Sequence, residues 1–275
     1  MTLLLILTAG GALADYWYGD FVENRTVVFS DSAMLLDSTD IESEVIAELP
    51  VGTELIILGN GAGEFESSGF TSYWYDVSCT LGCRYNTGYI PGAYLAMSDL
   101  SLGEDTLFMF NIIGFDEDQG EFQGEVKVVA DGELLDSFFF EPVGGAVSHD
   151  FYECNTELIQ FDPSGLTGVR NLMRLSFILG DSGFINPDLL IAWTGEHLVL
   201  GPEAMNEAEA HVYIFSTKYI LPSDDDGTLD AVILESTLDI WDEAIEDFVK
   251  SEVTLTTYSW TGNSFEPEGA VSSSQ

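Results

Sequence analysis

The residues best suited to chemistry in this sequence lie in one acidic turn, Pro222 to Asp230. The turn reads Pro-Ser-Asp-Asp-Asp-Gly-Thr-Leu-Asp and precedes the apolar run Ala231 to Leu234. Calcium takes six to eight oxygen ligands, and an Asp-x-Asp-Gly turn can fold alternate carboxylates to one side because glycine permits the sharp reversal. Aspartate is also common in solvated turns, and the chain has 48 acidic residues. The segment is therefore a calcium site or a solvated turn.

The spacing of these aspartates resembles the Asp-x-Asp-x-Asp-Gly-x-x-Asp loops of calcium-binding propeller (FG-GAP) repeats and of EF-hand-like proteins. Pro222 stands where those loops have their first aspartate. The resemblance implies that Asp224, Asp226 and Asp230 are the ligands, helped by a main-chain carbonyl near Thr228. Calcium is the only cofactor that the sequence indicates.

Two of the three cysteines, Cys79 and Cys83, are separated by three residues in a stretch rich in glycine and polar residues. An oxidising compartment would let them form a short disulfide, which leaves Cys154 over. The alternative is a pair of buried thiols. A zinc site is disfavoured because the three histidines, at positions 149, 197 and 211, are scattered.

Signatures of catalysis are missing from the sequence. It contains no His-x-x-x-His pair and no Gly-x-Ser-x-Gly elbow, the nearest match being Gly180-Asp181-Ser182-Gly183. Cys154 lies outside the Asp-Cys-Ser-Gly type of context expected of a wall-degrading cysteine peptidase. Spacing does not identify a carboxylate pair for glycoside cleavage among 48 acidic residues. We therefore predict a protein that is not an enzyme.

The charge of the chain restricts its partners. Asp and Glu number 48 against 7 Lys and Arg, so the formal net charge is −41. Such a field repels nucleic acid and anionic lipid surfaces. The repulsion among these charges also destabilises the compact state. Cations must therefore stabilise the fold, either as a saline medium that screens the charges or as bound divalent ions. With 46% hydrophobic residues the chain can nevertheless build packed cores.

The first 14 residues, Met1 to Ala14, have the pattern of a secretory leader. A short apolar run ends in Ala12-Leu13-Ala14, which offers small side chains to a signal peptidase. We expect cleavage near Ala14 and export to the periplasm or the exterior; the alternative is a buried N-terminal strand. No other apolar run reaches about 18 residues, so we expect no membrane span.

From Val27 to Ala96 the sequence alternates short β-rich runs with turn residues, which predicts a small barrel. Four segments resemble parts of the bacterial SH3 (SH3b) domain: Val45-Ile46, Leu49-Pro50-Val51-Gly52-Thr53-Glu54-Leu55, Trp74-Tyr75-Asp76-Val77 and Gly88-Tyr89-Ile90-Pro91-Gly92-Ala93-Tyr94-Leu95. The resemblance implies a five- to six-stranded barrel over residues 15–97 that binds cell-wall peptides or mediates protein contacts. Trp74, Tyr75, Tyr89 and Tyr94 are its candidate binding residues, and the alternative is that these rings form barrel core. The insertion Gly59 to Ser72 is expected to be a long surface hairpin loop.

Residues 98–275 are expected to form a second, larger β-rich domain. Two segments, Trp193-Thr194-Gly195 and Trp260-Thr261-Gly262, share a pattern typical of hairpin turns and indicate a propeller-like or sandwich architecture. Apolar residues at helical spacing predict one short helix over Leu238 to Val249. A flexible tail is expected from about residue 267.

These observations predict an exported all-β binding or scaffold protein that is not catalytic. Its SH3b-like module would recognise a cell-envelope component or another protein, without nucleic acid and without a membrane span. Two alternatives remain at this point: a cell-wall hydrolase with an SH3b targeting module, and a calcium-dependent surface-assembly subunit.

Overall fold

A computed structural model describes residues 25–67, 70–79, 87–103, 106–116, 121–140, 155–178 and 184–274. In these residues the protein is all-β, with antiparallel strands in three sheets. The predicted signal peptide, Cys83 and Cys154 lie outside them. No helix in the described ranges is long and apolar enough to cross a bilayer.

The first sheet has six strands in the order β1-β4-β5-β6-β2-β3. Its strands are β1 (Arg25–Val27), β2 (Ser32–Leu36), β3 (Val45–Pro50), β4 (Glu54–Ser67), β5 (Phe70–Cys79) and β6 (Thr87–Pro91). Gly52, at φ +78°, makes the tight turn from β3 to β4. The described strands β1 and β3 form the two edges, so the sheet is open and not the closed barrel that was predicted. A short 3-10 helix, Gly92–Tyr94, follows β6.

The second sheet has four strands in the order β10-β9-β8-β7. Its strands are β7 (Ser98–Ser101), β8 (Thr106–Asp116), β9 (Glu121–Ala130) and β10 (Glu133–Phe140). Asp131 and Gly132 both have positive φ and connect β9 to β10, as expected for an Asp-Gly hairpin turn. The last strand of the first sheet ends at Pro91, and the first strand of this one begins at Ser98.

The third sheet is an eight-stranded meander in which each strand pairs with its neighbours in sequence. Its strands are β11 (Asn155–Phe161), β12 (Asn171–Ile178), β13 (Phe184–Trp193), β14 (Leu198–Glu209), β15 (Tyr213–Ile220), β16 (Ala231–Asp242), β17 (Asp247–Trp260) and β18 (Phe265–Ser274). β14 and β15 pair only where residues 207–209 meet residues 213–215, and they then separate. The meander is a single sheet and not a set of propeller blades.

We call the second sheet the middle sheet, because buried clusters join it to both of the others. On one face Met109 and Val129 pack with Val27 of β1 and with Phe29, which follows β1. On the other face Phe110 joins a buried cluster that includes residues of the first sheet and of β12 and β13, and its ring contacts Phe177 at 5.4 Å in an edge-to-face arrangement. Residues on both faces of β8 and β9 are buried, and β8 is accordingly apolar from Leu107 to Ile113 apart from Asn111.

A separate buried cluster packs the first strands of the third sheet against its later strands. It includes Leu172, Leu190 and Ala192 of β12 and β13 together with Val232 of β16 and Trp260 of β17. The indole N–H of Trp260 donates to the carbonyl oxygen of Thr167 at 2.8 Å, which ties the β11–β12 loop to the end of β17.

Both Trp-Thr-Gly segments are hairpin turns, as predicted. Gly195 and Gly262 have φ of +96° and +99°, and Trp193 and Trp260 pair with the first residues of the following strands. One other prediction was wrong. The helix predicted over Leu238 to Val249 is the β16–β17 hairpin, because its apolar residues pair across the two strands, with Trp241 and Phe248 in edge-to-face contact at 5.1 Å. The residues from about 267, predicted as a flexible tail, pair with β17 as part of β18.

Candidate functional site

Two of the predicted binding residues, Trp74 and Tyr94, lie in one aromatic cluster together with Phe65. Trp74 lies on β5, Tyr94 ends the 3-10 helix, and Phe65 comes from the outer part of the β4–β5 hairpin. The Phe65 ring contacts the rings of Trp74 and Tyr94 edge-on, with centroid distances of 5.6 Å in both pairs. Edge-to-face contacts of this kind add about 1 kcal/mol each beyond area burial.

Backbone irregularity brings Phe65 over the cluster. The pairing of β4 with β5 shifts register twice, after Ile57 and after Asn60, and such bulges bend and twist a hairpin. Beyond the second bulge the pairing resumes, with Phe65 opposite Ser72. The insertion Gly59 to Ser72, predicted as a loop, is therefore largely a continuation of two strands, with residues 68 and 69 outside the described ranges.

Hydrogen bonds fix the 3-10 helix that carries Tyr94. The backbone N–H of Ala93 donates to Ser72 Oγ at 3.1 Å, and the Asn111 side-chain amide donates to the Ala93 carbonyl at 3.0 Å. Asn111 is fully buried on β8. The cluster is thus held by the hairpin on one side and by the middle sheet on the other, so it is preorganised.

The four predicted binding residues fall into different environments. Trp74 is 3% exposed and lies beneath Phe65, whereas Tyr94 is half-buried and reaches the surface. Tyr75 is 2% exposed, pairs with Ile90 and belongs to the core of the first sheet. Tyr89 is half-buried opposite Asp76. The structure therefore brings Trp74 and Tyr94 together through Phe65, a residue that the sequence analysis missed. The sequence signal that could have identified Phe65 was an aromatic residue in an insertion rich in glycine and serine.

The surroundings of the aromatic cluster are acidic. Glu64 and Glu66 flank Phe65 and are exposed, and neither β4 nor β5 contains a lysine or arginine. An aromatic surface with negative neighbours suits a ligand that presents apolar groups together with amino groups, because the ring face and the carboxylates both attract cations.

In the predicted calcium turn, two of the three carboxylates make hydrogen bonds to the protein. Asp224 Oδ2 accepts from the Leu221 backbone N–H at 2.7 Å. Asp230 Oδ1 accepts from the Thr167 backbone N–H at 2.7 Å, and its other oxygen accepts from the Thr167 hydroxyl at 3.3 Å. These bonds close the turn and attach it to the β11–β12 loop.

The turn does not gather its side chains into a cluster. Across the described ranges, which include Asp224, Asp226 and Asp230, no group of three or more His, Cys, Asp or Glu side chains is arranged to hold a metal ion. The calcium site stays a prediction. Cys79 is disulfide-bonded; its predicted partner Cys83 lies outside the described residues, so that pairing also stays a prediction.

An ion group centred on the buried Lys127 joins the β1–β2 loop to the second sheet. Lys127 Nζ lies 2.8 Å from Asp31 Oδ1 and 3.6 Å from Glu125 Oε2, donates to the Phe29 carbonyl at 3.2 Å and sits 4.6 Å from the centre of the Phe29 ring. Burial raises the pKa of Glu125, and the nearby Lys127 charge partly opposes that rise. Lys127 and Glu125 are buried, whereas the Asp31 side chain is 77% exposed, so the group attaches the β1–β2 loop to the middle sheet at the border of the buried region.

A second polar group lies where β14 and β15 separate. Arg174 Nη1 is 3.8 Å from Asp188 Oδ2, and burial raises the pKa of Asp188. The Tyr219 hydroxyl accepts from the Ala204 backbone N–H at 3.2 Å and lies 2.9 Å from the Asp188 carbonyl oxygen. Burial raises the pKa of Tyr219 far above its usual value. Its hydroxyl therefore stays protonated and bridges the gap between the two strands.

Comparison with known proteins found no matching model of a protein family, no matching curated protein and no matching solved structure.

Proposed function

We propose that this protein is an exported, non-catalytic binding protein that holds a peptide component of the cell envelope on the aromatic cluster. The observation that carries the proposal is the cluster itself: Phe65 and Tyr94 reach the surface over a buried Trp74, on a support fixed by hydrogen bonds. The SH3b-like segments around Trp74 and Tyr94 support the same location for a ligand site.

The chemistry around the cluster favours a ligand that carries amino groups. Cell-wall peptide stems have such groups, and exposed aromatic rings with neighbouring carboxylates bind them through cation–π and ionic attraction. The net charge of −41 opposes polyanionic ligands. Most of the rest of the chain would then act as a rigid support, because the buried core is continuous through all three sheets.

The test is co-sedimentation of the full chain with purified peptidoglycan. We expect the protein to sediment with the wall material and to release no soluble fragments. Phe65→Ala and Tyr94→Ala should each weaken binding about fivefold, since one aromatic contact is worth about 1 kcal/mol. Phe248→Ala is the matched control, because Phe248 packs on Trp241 in the third sheet.

Two results would contradict this proposal. Binding that is unchanged in both cluster variants, each shown to be folded by circular dichroism, would remove the aromatic cluster as the site. Release of soluble fragments would show a wall hydrolase and remove the non-catalytic assignment.

A further inference from the structure

β18 is the outer edge of the third sheet. It pairs with β17 on one side, and within the described ranges no strand lies along its other side. An edge strand presents unpaired backbone N–H and C=O groups, to which another strand can be added. The two halves of β18 differ in how far they prevent such pairing.

The first half of β18 is protected. Phe265 packs into the buried cluster around Trp260. Pro267 has no N–H to donate, Glu266 and Glu268 are charged, and the register to β17 shifts at Glu268. Proline, charge and bulges are the devices by which natural proteins block edge pairing.

The second half of β18 has none of these devices. We call the run Gly269–Ser273 the edge segment; it reads Gly-Ala-Val-Ser-Ser and contains no charge and no proline. It follows the bulge and keeps a regular register with β17, where Val271 lies opposite Leu255. Val271 is 73% exposed and Leu255 is 39% exposed.

Charge and symmetry select the partner of this segment. In a chain of net charge −41, an uncharged run is where a second copy can approach with the least repulsion. Antiparallel pairing of the edge segment with itself about Val271 would match Ala270 with Ser272 and Gly269 with Ser273, so that only uncharged residues meet. It would also align Leu255 and Val271 of both copies in one apolar row, since directly opposite residues share a face.

We propose that the edge segment is a self-association site, at which two copies of this chain join their third sheets antiparallel across a two-fold axis at Val271. The interface is isologous, as in most homodimers. Because both copies carry the same large negative charge, association requires screening by salt. This site is separate from the aromatic cluster, so either proposal can fail without the other.

The first experiment measures the mass of the full chain by sedimentation equilibrium at two ionic strengths. We expect monomers at about 0.01 M NaCl, where the screening length is about 30 Å, and dimers at about 1 M, where it is about 3 Å. Val271→Asp should raise the dimer dissociation constant at least about tenfold, because it places two carboxylates opposite each other. Val212→Asp is the matched control, since Val212 is also an exposed valine and should behave as the unchanged protein.

A monomer at high salt would overturn the proposal, as would a dimer that Val271→Asp does not weaken or an assembly larger than a dimer. A second variant covers the case in which Val271→Asp fails to fold. Cα atoms directly opposite in an antiparallel pair are about 4.5–5.5 Å apart, within the range that a disulfide spans. Val271→Cys should therefore give a covalent dimer under oxidation, beyond any formed by Val212→Cys; equal cross-linking of the two would also overturn the proposal.

Discussion

The middle sheet, β7–β10, and the outer strands of the third sheet, β15–β18, are both antiparallel, yet they have opposite surroundings. In the middle sheet Phe108, Phe110 and Val128 are fully buried in a cluster shared with both other sheets. In the outer strands Val271, Ile240 and Val249 remain exposed. The difference shows that the same secondary structure has two roles here, since one sheet is buried on both faces and the other presents an open edge.

The charged residues follow the same division. Lys127 on β9 is buried and held by two carboxylates, whereas Lys218 on β15 pairs with Glu235 at 2.9 Å in a largely exposed position. A buried ion needs partners of opposite charge, whereas water can replace an exposed ion pair with little loss of stability. We therefore expect substitutions in the middle sheet to lower the free energy of unfolding far more than matched substitutions in the outer strands.

The largest effect is expected from removing a ring between the layers. Phe110→Ala should lower the free energy of unfolding by about 3–5 kcal/mol, because it deletes a fully buried side chain and leaves a cavity. Phe248→Ala should cost about 1 kcal/mol, since Phe248 is half-buried against Trp241. Urea unfolding of the two variants measures both values, and equal losses would show that the two sheets are not energetically different.

The next effect concerns the buried lysine. Lys127→Met should cost about 3 kcal/mol, because it leaves the Glu125 carboxylate buried without its cation. Lys218→Met in the outer strands should cost less than about 1 kcal/mol. The same urea series distinguishes them, and a Lys127→Met variant as stable as Lys218→Met would contradict a structural role for the buried ion group.

A smaller effect is expected where the outer strands are tied to the inner ones. Asp230→Ala should lower the free energy of unfolding by about 1–2 kcal/mol, because it removes two hydrogen bonds to Thr167. Asp230 itself has φ +52°. Asp226→Ala, in the same turn and exposed, should change stability by less than about 0.5 kcal/mol. Thermal unfolding with and without calcium is the measurement. A calcium-dependent stabilisation that both variants abolish would instead support the predicted metal site.

The smallest effect is a change of pH dependence. Burial raises the pKa of Glu125 above its ordinary 4.5, so the folded state binds this proton more tightly than the unfolded chain does. Its contribution to stability is therefore fully present below pH 4.5 and is lost as the pH rises through the folded pKa. Glu125→Gln should reduce the loss of stability between about pH 4 and pH 7 relative to the unchanged protein. Glu133→Gln, exposed on the same sheet, is the control, and equal pH profiles for all three proteins would contradict this assignment.

Strand patterns and turn residues predicted much of this fold. The Trp-Thr-Gly turns and the first-sheet strands follow from local rules, since positive φ and β-branched runs are properties of a few neighbouring residues. The prediction of a helix over Leu238 to Val249 failed because the spacing of apolar residues does not by itself distinguish a short amphipathic helix from two paired strands. The hairpin arises from contacts between Trp241 and Phe248, which become neighbours only after pairing.

In the candidate site, the sequence identified Trp74 and Tyr94 but not Phe65. Their residue types and the SH3b-like segments pointed to them, whereas Phe65 reaches the site only because two bulges redirect its strand.

By itself, the sequence determined the all-β class, the negative charge and the positions of the tight turns, because composition and local backbone preference suffice for these. Only the tertiary structure decided which β-rich runs became the buried middle layer and which formed an open edge. The physical reason is that burial depends on the layers that pack against a strand, and those layers come from distant parts of the chain.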